Sequence, residues 1–166
     1  MLLRMISSVF IILFIITVSL FLLVKFLEST AVFFPGKTLS MTPAQASMAY
    51  EDLYISTVDH VKINAWFIKS HEKAPTLIFA HGNAGTMSER IMKIKFWHDM
   101  GLNVLIFDYR GYARSEGKPS EEGVYLDAQA VYDYLAARPD IDPSKIIAYG
   151  ASLGGAVMTE LATRRK

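Results

Sequence analysis

From Met5 to Val24 the chain runs twenty residues without a charged side chain, dense in Ile, Leu, Phe and Val. As helix, at 1.5 Å per residue, such a run crosses roughly 30 Å of hydrocarbon. Arg4 precedes it, and Lys25 and Glu28 follow. A cleaved signal peptide is the rival reading, because Ser29-Thr30-Ala31 is a passable small-residue site, but the apolar region of such peptides is about 7–15 residues long. The pattern therefore predicts a retained transmembrane signal anchor over residues 1–27. The positive-charge bias across it is slight, Arg4 and the amino terminus against Lys25 and Lys37, and we expect the N-terminus in the cytoplasm and the domain outside. Residues 28–48 read as a juxtamembrane connector, punctuated by Pro35-Gly36 and Pro43.

Beyond residue 49 the pattern changes period. Tyr50–Thr57 and Lys62–Ser70 have strand character, and in the second run Ile63, Ala65 and Phe67 alternate with Asn64, Trp66 and Ile68, which suits an edge hairpin. Thr76–Ala80, Asn103–Asp108 and Lys145–Tyr149 are short, nearly continuous apolar runs, the mark of strands buried on both faces of a parallel sheet. Between them lie two helical patterns. Thr86 and Glu89 have capping-box spacing for a helix to about Met100, with Ile91, Ile94 and His98 on one face and Phe96, Trp97 and Met100 widening its apolar surface. Ser120 can cap a second helix to about Arg138, with Val124, Ala128, Val131 and Leu135 at helical spacing. Strands alternating with helices in this way predict an open α/β sheet, mostly parallel, with a β-hairpin at one edge.

Composition changes this picture little. With 17 Lys+Arg against 16 Asp+Glu in 166 residues the formal net charge is +1, so no bulk attraction to nucleic acid is implied. There is no cysteine, which excludes a disulfide framework and a thiol nucleophile. No Gly-x-Gly-x-x-Gly follows a strand and no cluster has metal-ligand spacing, so neither cofactor nor metal is expected.

Chemistry concentrates in three loops at the carboxyl ends of the three buried strands: His81-Gly82-Asn83-Ala84-Gly85, Asp108-Tyr109-Arg110-Gly111-Tyr112-Ala113-Arg114-Ser115, and Gly150-Ala151-Ser152-Leu153-Gly154-Gly155. In the last, the Gly-x-Ser-x-Gly spacing has a mechanical reason. A strand-to-helix turn that sharp needs small flanking residues, Gly150 and Gly154, and it raises the Ser152 hydroxyl above the strand ends.

Taken in order, these loops resemble the α/β-hydrolase superfamily, and most closely its membrane-anchored, serine-aminopeptidase-like branch, whose members often follow an N-terminal helix with an aromatic-Pro segment like Phe33-Phe34-Pro35. The likeness covers about residues 28–166. It implies that residues 49–166 form the N-terminal part of an α/β-hydrolase domain. It also implies that Ser152 is the nucleophile and that the backbone N–H groups of Leu153 and Asn83 (Gly82 less so) form the oxyanion hole. His81, Gly82, Asp108, Arg110, Gly150 and Gly154 would shape the loops. The implied reaction is hydrolysis of an ester, thioester or amide through an acyl-serine, on a small-molecule, lipid or peptide acyl substrate.

One departure from the pattern is large. The superfamily places an acid and then a histidine after the nucleophile, whereas after Ser152 the sequence offers only Glu160 and no histidine. The expectation is thus a truncated hydrolase domain, inactive alone. The alternative is an inert or non-enzymatic membrane-bound protein that pairs through the exposed sheet edge Ile146-Ile147-Ala148-Tyr149. A weaker one has a partner chain supply the missing strands, acid and histidine.

Overall fold

The computed structural model describes residues 2–165; the side chains of Leu2, Leu3, Arg4, Met5, Glu28, Ser29 and Thr30 lie outside the described residues, as do Met1 and Lys166. The chain divides into two compact units, Met1–Phe33 and Phe34–Lys166. The first is a helix, α1 (Leu2–Ala31). Within it Ile6–Leu27 has a mean hydropathy of 2.9 and none of it is buried, so by length and composition it can cross a membrane. Thr17, a polar group in this run, turns its hydroxyl back onto the Leu13 carbonyl at 2.9 Å, satisfying itself inside the helix.

The second unit opens with a two-residue strand, β1 (Phe34–Pro35), and a 3₁₀ turn at Pro43–Ala46. Then follow β2 (Glu51–Ser56), β3 (Lys62–Ile68), β4 (Thr76–Ala80), a second two-residue strand β5 (Ala84–Gly85), α2 (Ile91–Asp99), β6 (Asn103–Phe107), α3 (Glu121–Ala136), β7 (Ile146–Gly150) and α4 (Leu153–Arg164). Compact packing begins at Phe34, well before residue 49, because Leu39, Met41, Ala46 and Met48 pack on the core.

The main sheet has the order β2-β3-β6-β4-β7. Its hairpin β2–β3 and the β3–β6 pair are antiparallel, while β6–β4 and β4–β7 are parallel, so the sheet is mixed. As the pattern predicts, the hairpin β2–β3 forms one edge of the sheet, with β2 outermost; β3 is flanked by β2 and β6, and Ile63–Ile68 are all buried. Its alternation sorts residues between two buried faces instead of between core and solvent. Trp66 and Ile68 join Leu77, Phe79, Val104 and Ile106 beneath Ile91 and Ile94 of α2. The other face carries α3, where Val124, Ala128, Val131 and Leu135 are all buried, as their spacing predicts.

Helix starts differ in detail. Ser120 caps α3 by accepting from Gly123 N–H. Thr86 caps a tighter 3₁₀ turn, Met87–Arg90, and α2 begins only after it, at Ile91. Phe96 on α2 and Met100 just after it face outward, 55% and 61% exposed, so the buried stripe is narrower than the composition suggests. At the other side of the sheet, β7 is the last strand among the described residues, and Ile147 is 42% exposed.

Pairing registers bring the loops together. Ala80 lies level with Phe107 on one side and with Gly150 on the other. The segments that leave these three residues therefore emerge side by side at one end of the sheet, about 5 Å apart.

Candidate active site

The turn after β7 is as tight as a turn can be. A side-chain carbon on Gly150 would sit 2.0 Å from the Gly154 carbonyl oxygen, and one on Gly154 would sit 2.0 Å from that of Ala80. Only hydrogen fits at either position, so α4 starts directly above the ends of β7 and β4. Ser152 carries the cost of the reversal, with φ 54° and ψ −119°, a backbone state that L side chains rarely adopt. It is exposed, and Leu153, the next residue, is the first of α4. N–H groups of a first helical turn have no intrahelical acceptor and lie at the positive end of the helix dipole.

Across from this turn runs the loop 81–86. Gly82 faces the serine: a side chain there would begin 3.6 Å from both Ser152 Cβ and the Ala151 carbonyl oxygen. The loop's carbonyls are each engaged elsewhere. Ala80 O accepts from Ala151 N–H at 3.1 Å, and His81 O accepts from the Tyr109 hydroxyl at 2.6 Å. Gly82 O meets His81 Nδ1 at 2.7 Å. Asn83 O takes both Phe34 N–H at 3.0 Å and the Tyr112 hydroxyl at 2.6 Å. Ala84 O takes the Arg90 guanidinium at 2.7 Å, and Gly85 O takes Gly36 N–H at 3.0 Å. In a trans peptide the N–H points opposite to the preceding C=O. Fixing Gly82 O therefore fixes the direction of Asn83 N–H.

His81 is wholly buried, and its ring makes a triangle with those of Tyr109 and Tyr112, 4.7 Å and 5.7 Å away and 5.6 Å from each other. Since Gly82 O can only accept, Nδ1 carries a hydrogen. Nε2 faces Asp108 Oδ1 at 3.1 Å. Neither ring nitrogen is left for the serine. The same Asp108 oxygen accepts Met87 N–H at 2.7 Å, tying the loop after β6 to the start of the α2 segment.

Arg110 turns away from the serine. Its Nε and its own backbone N–H both reach Asp127 of α3 at 2.8 Å, and its two terminal nitrogens fork onto Asp59 of the β2–β3 turn at 2.7 and 3.1 Å. The guanidinium holds the Asp59 carboxyl well below its ordinary range. Burial pushes Asp127 the other way, up to about 6, against the pull of the arginine. Burial also raises Tyr109, and raises Tyr112 to about 12, so both hydroxyls remain donors throughout the physiological range.

The sequence alone missed four contributors: Asp127, Tyr109, Tyr112 and the Phe34–Gly36 backbone. Asp127 had a visible signal, an acid on the apolar face of its helix between Val124 and Ala128. The other histidines stand apart. His71 and His98 lie at the opposite end of the sheet, where Ser70 N–H meets the Asn103 side chain at 2.8 Å and the Ser70 hydroxyl approaches His98 O. His60, in the β2–β3 turn, is on the correct end, but its hairpin is separated from β7 by β6 and β4, about 14 Å at the usual strand spacing. Among the described residues no group of three or more metal-ligating side chains forms a site.

An α/β sheet that raises a strained serine at a strand-to-helix turn, opposite a glycine-containing loop from the neighbouring strand, defines a class of proteins by geometry. Comparison with known proteins names it. The alpha/beta hydrolase fold family matches residues 75–166, and this chain belongs to that family. The alpha/beta hydrolase domain-containing protein WAV2 of Arabidopsis thaliana is 42% identical over 128 residues, which are 74% of this chain and 42% of that protein. An uncharacterized membrane protein of Saccharomyces cerevisiae is 39% identical over 124 residues, 74% of this chain and 44% of the relative. Among solved structures, an esterase of Pyrococcus furiosus superposes with a TM-score of 0.68 at 28% identity, covering 81% of this chain and 52% of the esterase. The chain spans about half the length of the curated relatives it matches.

Proposed function

We propose that this chain carries the nucleophile and oxyanion hole of a serine hydrolase that cleaves an ester, thioester or amide through an acyl-serine. The observation that carries the reading is the strained backbone at Ser152. A non-glycine residue at φ 54°, ψ −119°, exposed at a turn too tight for any other side chain at Gly150 or Gly154, has no packing reason to be there. Its hydroxyl oxygen attacks the acyl carbon. The oxygen of that carbonyl takes the developing negative charge and accepts from Leu153 N–H and Asn83 N–H. Removing one donor of this type typically costs on the order of 10²–10³ in turnover. The hydroxyl proton needs a base. None of His60, His71, His81 and His98 is placed to take it, so the base and its acid come from outside these residues. Esterases among the solved neighbours support a carboxylic ester as the first substrate class to try.

The same reading places the protein at a membrane through Ile6–Leu27, which the yeast relative's description as a membrane protein supports. A fluorophosphonate probe tests the chemistry. With the C-terminal remainder of a longer relative added in trans, purified protein should acquire one label, and Ser152→Ala should lose it while keeping the wild-type circular dichroism. Labelling that survives the substitution, or a wild type that never labels even with the C-terminal remainder of a longer relative added in trans, rejects the acyl-serine reading.

A further inference from the structure

Outside the main sheet, β1 and β5 form a parallel ladder, with Phe34 level with Ala84 and Pro35 level with Gly85. The bonds Phe34 N–H to Asn83 O and Gly36 N–H to Gly85 O, both 3.0 Å, use the alternate donors of the strap. Pro35, which has no N–H, falls at the position between them. Downstream, Ser40 N–H and hydroxyl meet the Ser88 hydroxyl at 3.0 and 3.1 Å. On the strap's other side Gly36 O accepts Ala113 N–H at 2.8 Å, and Lys37 reaches Gly111 O. Phe34–Ser40 is thus tied both to the loop after β4 and to the loop after β6. The approach is close. A side-chain carbon on Gly36 would meet Thr86 Cγ2 at 2.6 Å and the Gly85 carbonyl carbon at 2.9 Å.

From this we propose that Phe34–Ser40, the segment that follows the N-terminal helix, is a positioning strap for the oxyanion loop. The proposal rests on the acyl-serine reading above. Asn83 sits between two peptide groups. The one before it is aimed by His81 through Gly82 O, and the one after it is held through Asn83 O, by Phe34 N–H and the Tyr112 hydroxyl together. With both peptides fixed, Asn83 N–H has one direction. Without the strap, Asn83 O loses Phe34 N–H, Gly85 O loses Gly36 N–H, and the loop can rotate its peptides. Phe34, Gly36 and Tyr112 are positioning residues in this scheme, acting through Asn83.

Two measurements on the full chain in detergent separate the strap from the chemistry. Gly36→Val forces the strap off the loop, and Tyr112→Phe removes the second bond to Asn83 O without adding bulk. Asp142→Ala, which loses a cap at the far end of β7, controls for general loosening. Hydrogen exchange of the amides of residues 83–86 should quicken about tenfold or more in Gly36→Val, with β4 and β6 unchanged. In fluorophosphonate labelling, both Gly36→Val and Tyr112→Phe should lower the maximal rate constant about tenfold or more at an unchanged half-saturating concentration. Unchanged exchange at 83–86 overturns the strap whatever the labelling shows. Faster exchange with a wild-type labelling rate overturns its positioning role. A wild type that does not label even with the C-terminal remainder of a longer relative added in trans rejects the acyl-serine reading and the positioning role with it, and exchange alone then decides whether the strap orders the loop. If Gly36→Val fails to fold, the same criteria apply to Tyr112→Phe, with faster exchange expected at Asn83 and Ala84.

Discussion

At Ser152 the needs of stability and of chemistry pull in opposite directions. Glycine adopts φ 54°, ψ −119° without strain, whereas a β-carbon there costs about 1–3 kcal/mol. Ser152→Gly should therefore raise the urea midpoint, by about 1 kcal/mol of unfolding free energy, while abolishing labelling. Ser152→Ala, which keeps the β-carbon, should lose labelling with little gain. If the glycine variant is no more stable than wild type, the turn is not strained and the main argument for a selected nucleophile falls. The serine was legible in the sequence because its spacing demands small neighbours. Its partners were legible unevenly. His81 and Asp108 stood in glycine-rich motifs, whereas Tyr109 and Tyr112 read as ordinary loop aromatics. Their contribution is a hydroxyl aimed at a main-chain carbonyl, and residue type alone does not announce that.

Elements bounded by side-chain pattern were read closely. Thr76–Ala80 is a strand with those bounds, and Asn103–Phe107 differs from expectation by one residue, because four consecutive apolar residues between polar loops allow little else. The edge hairpin was legible from the two runs and the turn between them, but the burial of both faces of β3 was not, because period-two alternation looks alike whether the second face meets water or another layer. The ladder of β1 with β5 is two residues long and made by main chain, so no periodicity could disclose it. Arg138 joins elements far apart in sequence. It forks onto Glu51 of β2 and Asp140 of the loop after α3, with its guanidinium 4.4 Å above the Phe67 ring. That hydrogen-bonded pairing lowers the Asp140 carboxyl to about 2. A folded-state value below the unfolded one means the contribution is fully present above about pH 4 and fades as pH falls toward 2. Asp140→Asn should thus be less stable than wild type at neutral pH, by less than about 1 kcal/mol because the pair is partly exposed. The difference in urea midpoints should close between pH 4 and 2. A gap that persists at pH 2 would assign the loss to packing.

At the scale of the whole chain, the uncharged N-terminal run and the α/β unit obey different solvents. Ile6–Leu27 exposes apolar side chains throughout, while the second unit buries Trp66, Phe67, Phe79 and Phe107 completely. The full chain should stay with the membrane pellet through an alkaline carbonate wash. A variant lacking residues 2–31 should pass into the supernatant. Release of the full chain by carbonate would make the helix a peripheral contact. The fold class was readable at this scale from the alternation of strand and helix. The joining of residues 34–48 to the domain was not, because their proline and glycine punctuation also describes a linker. That joining has a consequence in time. Phe34 leaves the ribosome about fifty residues before its partner Ala84, and the serine turn follows later still. Closing so long a loop carries an entropic cost that contacts of nearby residues do not. The loop after β4 should accordingly be among the last parts of the nascent protein to settle, ordered only after the first-made segment of the domain returns to meet it.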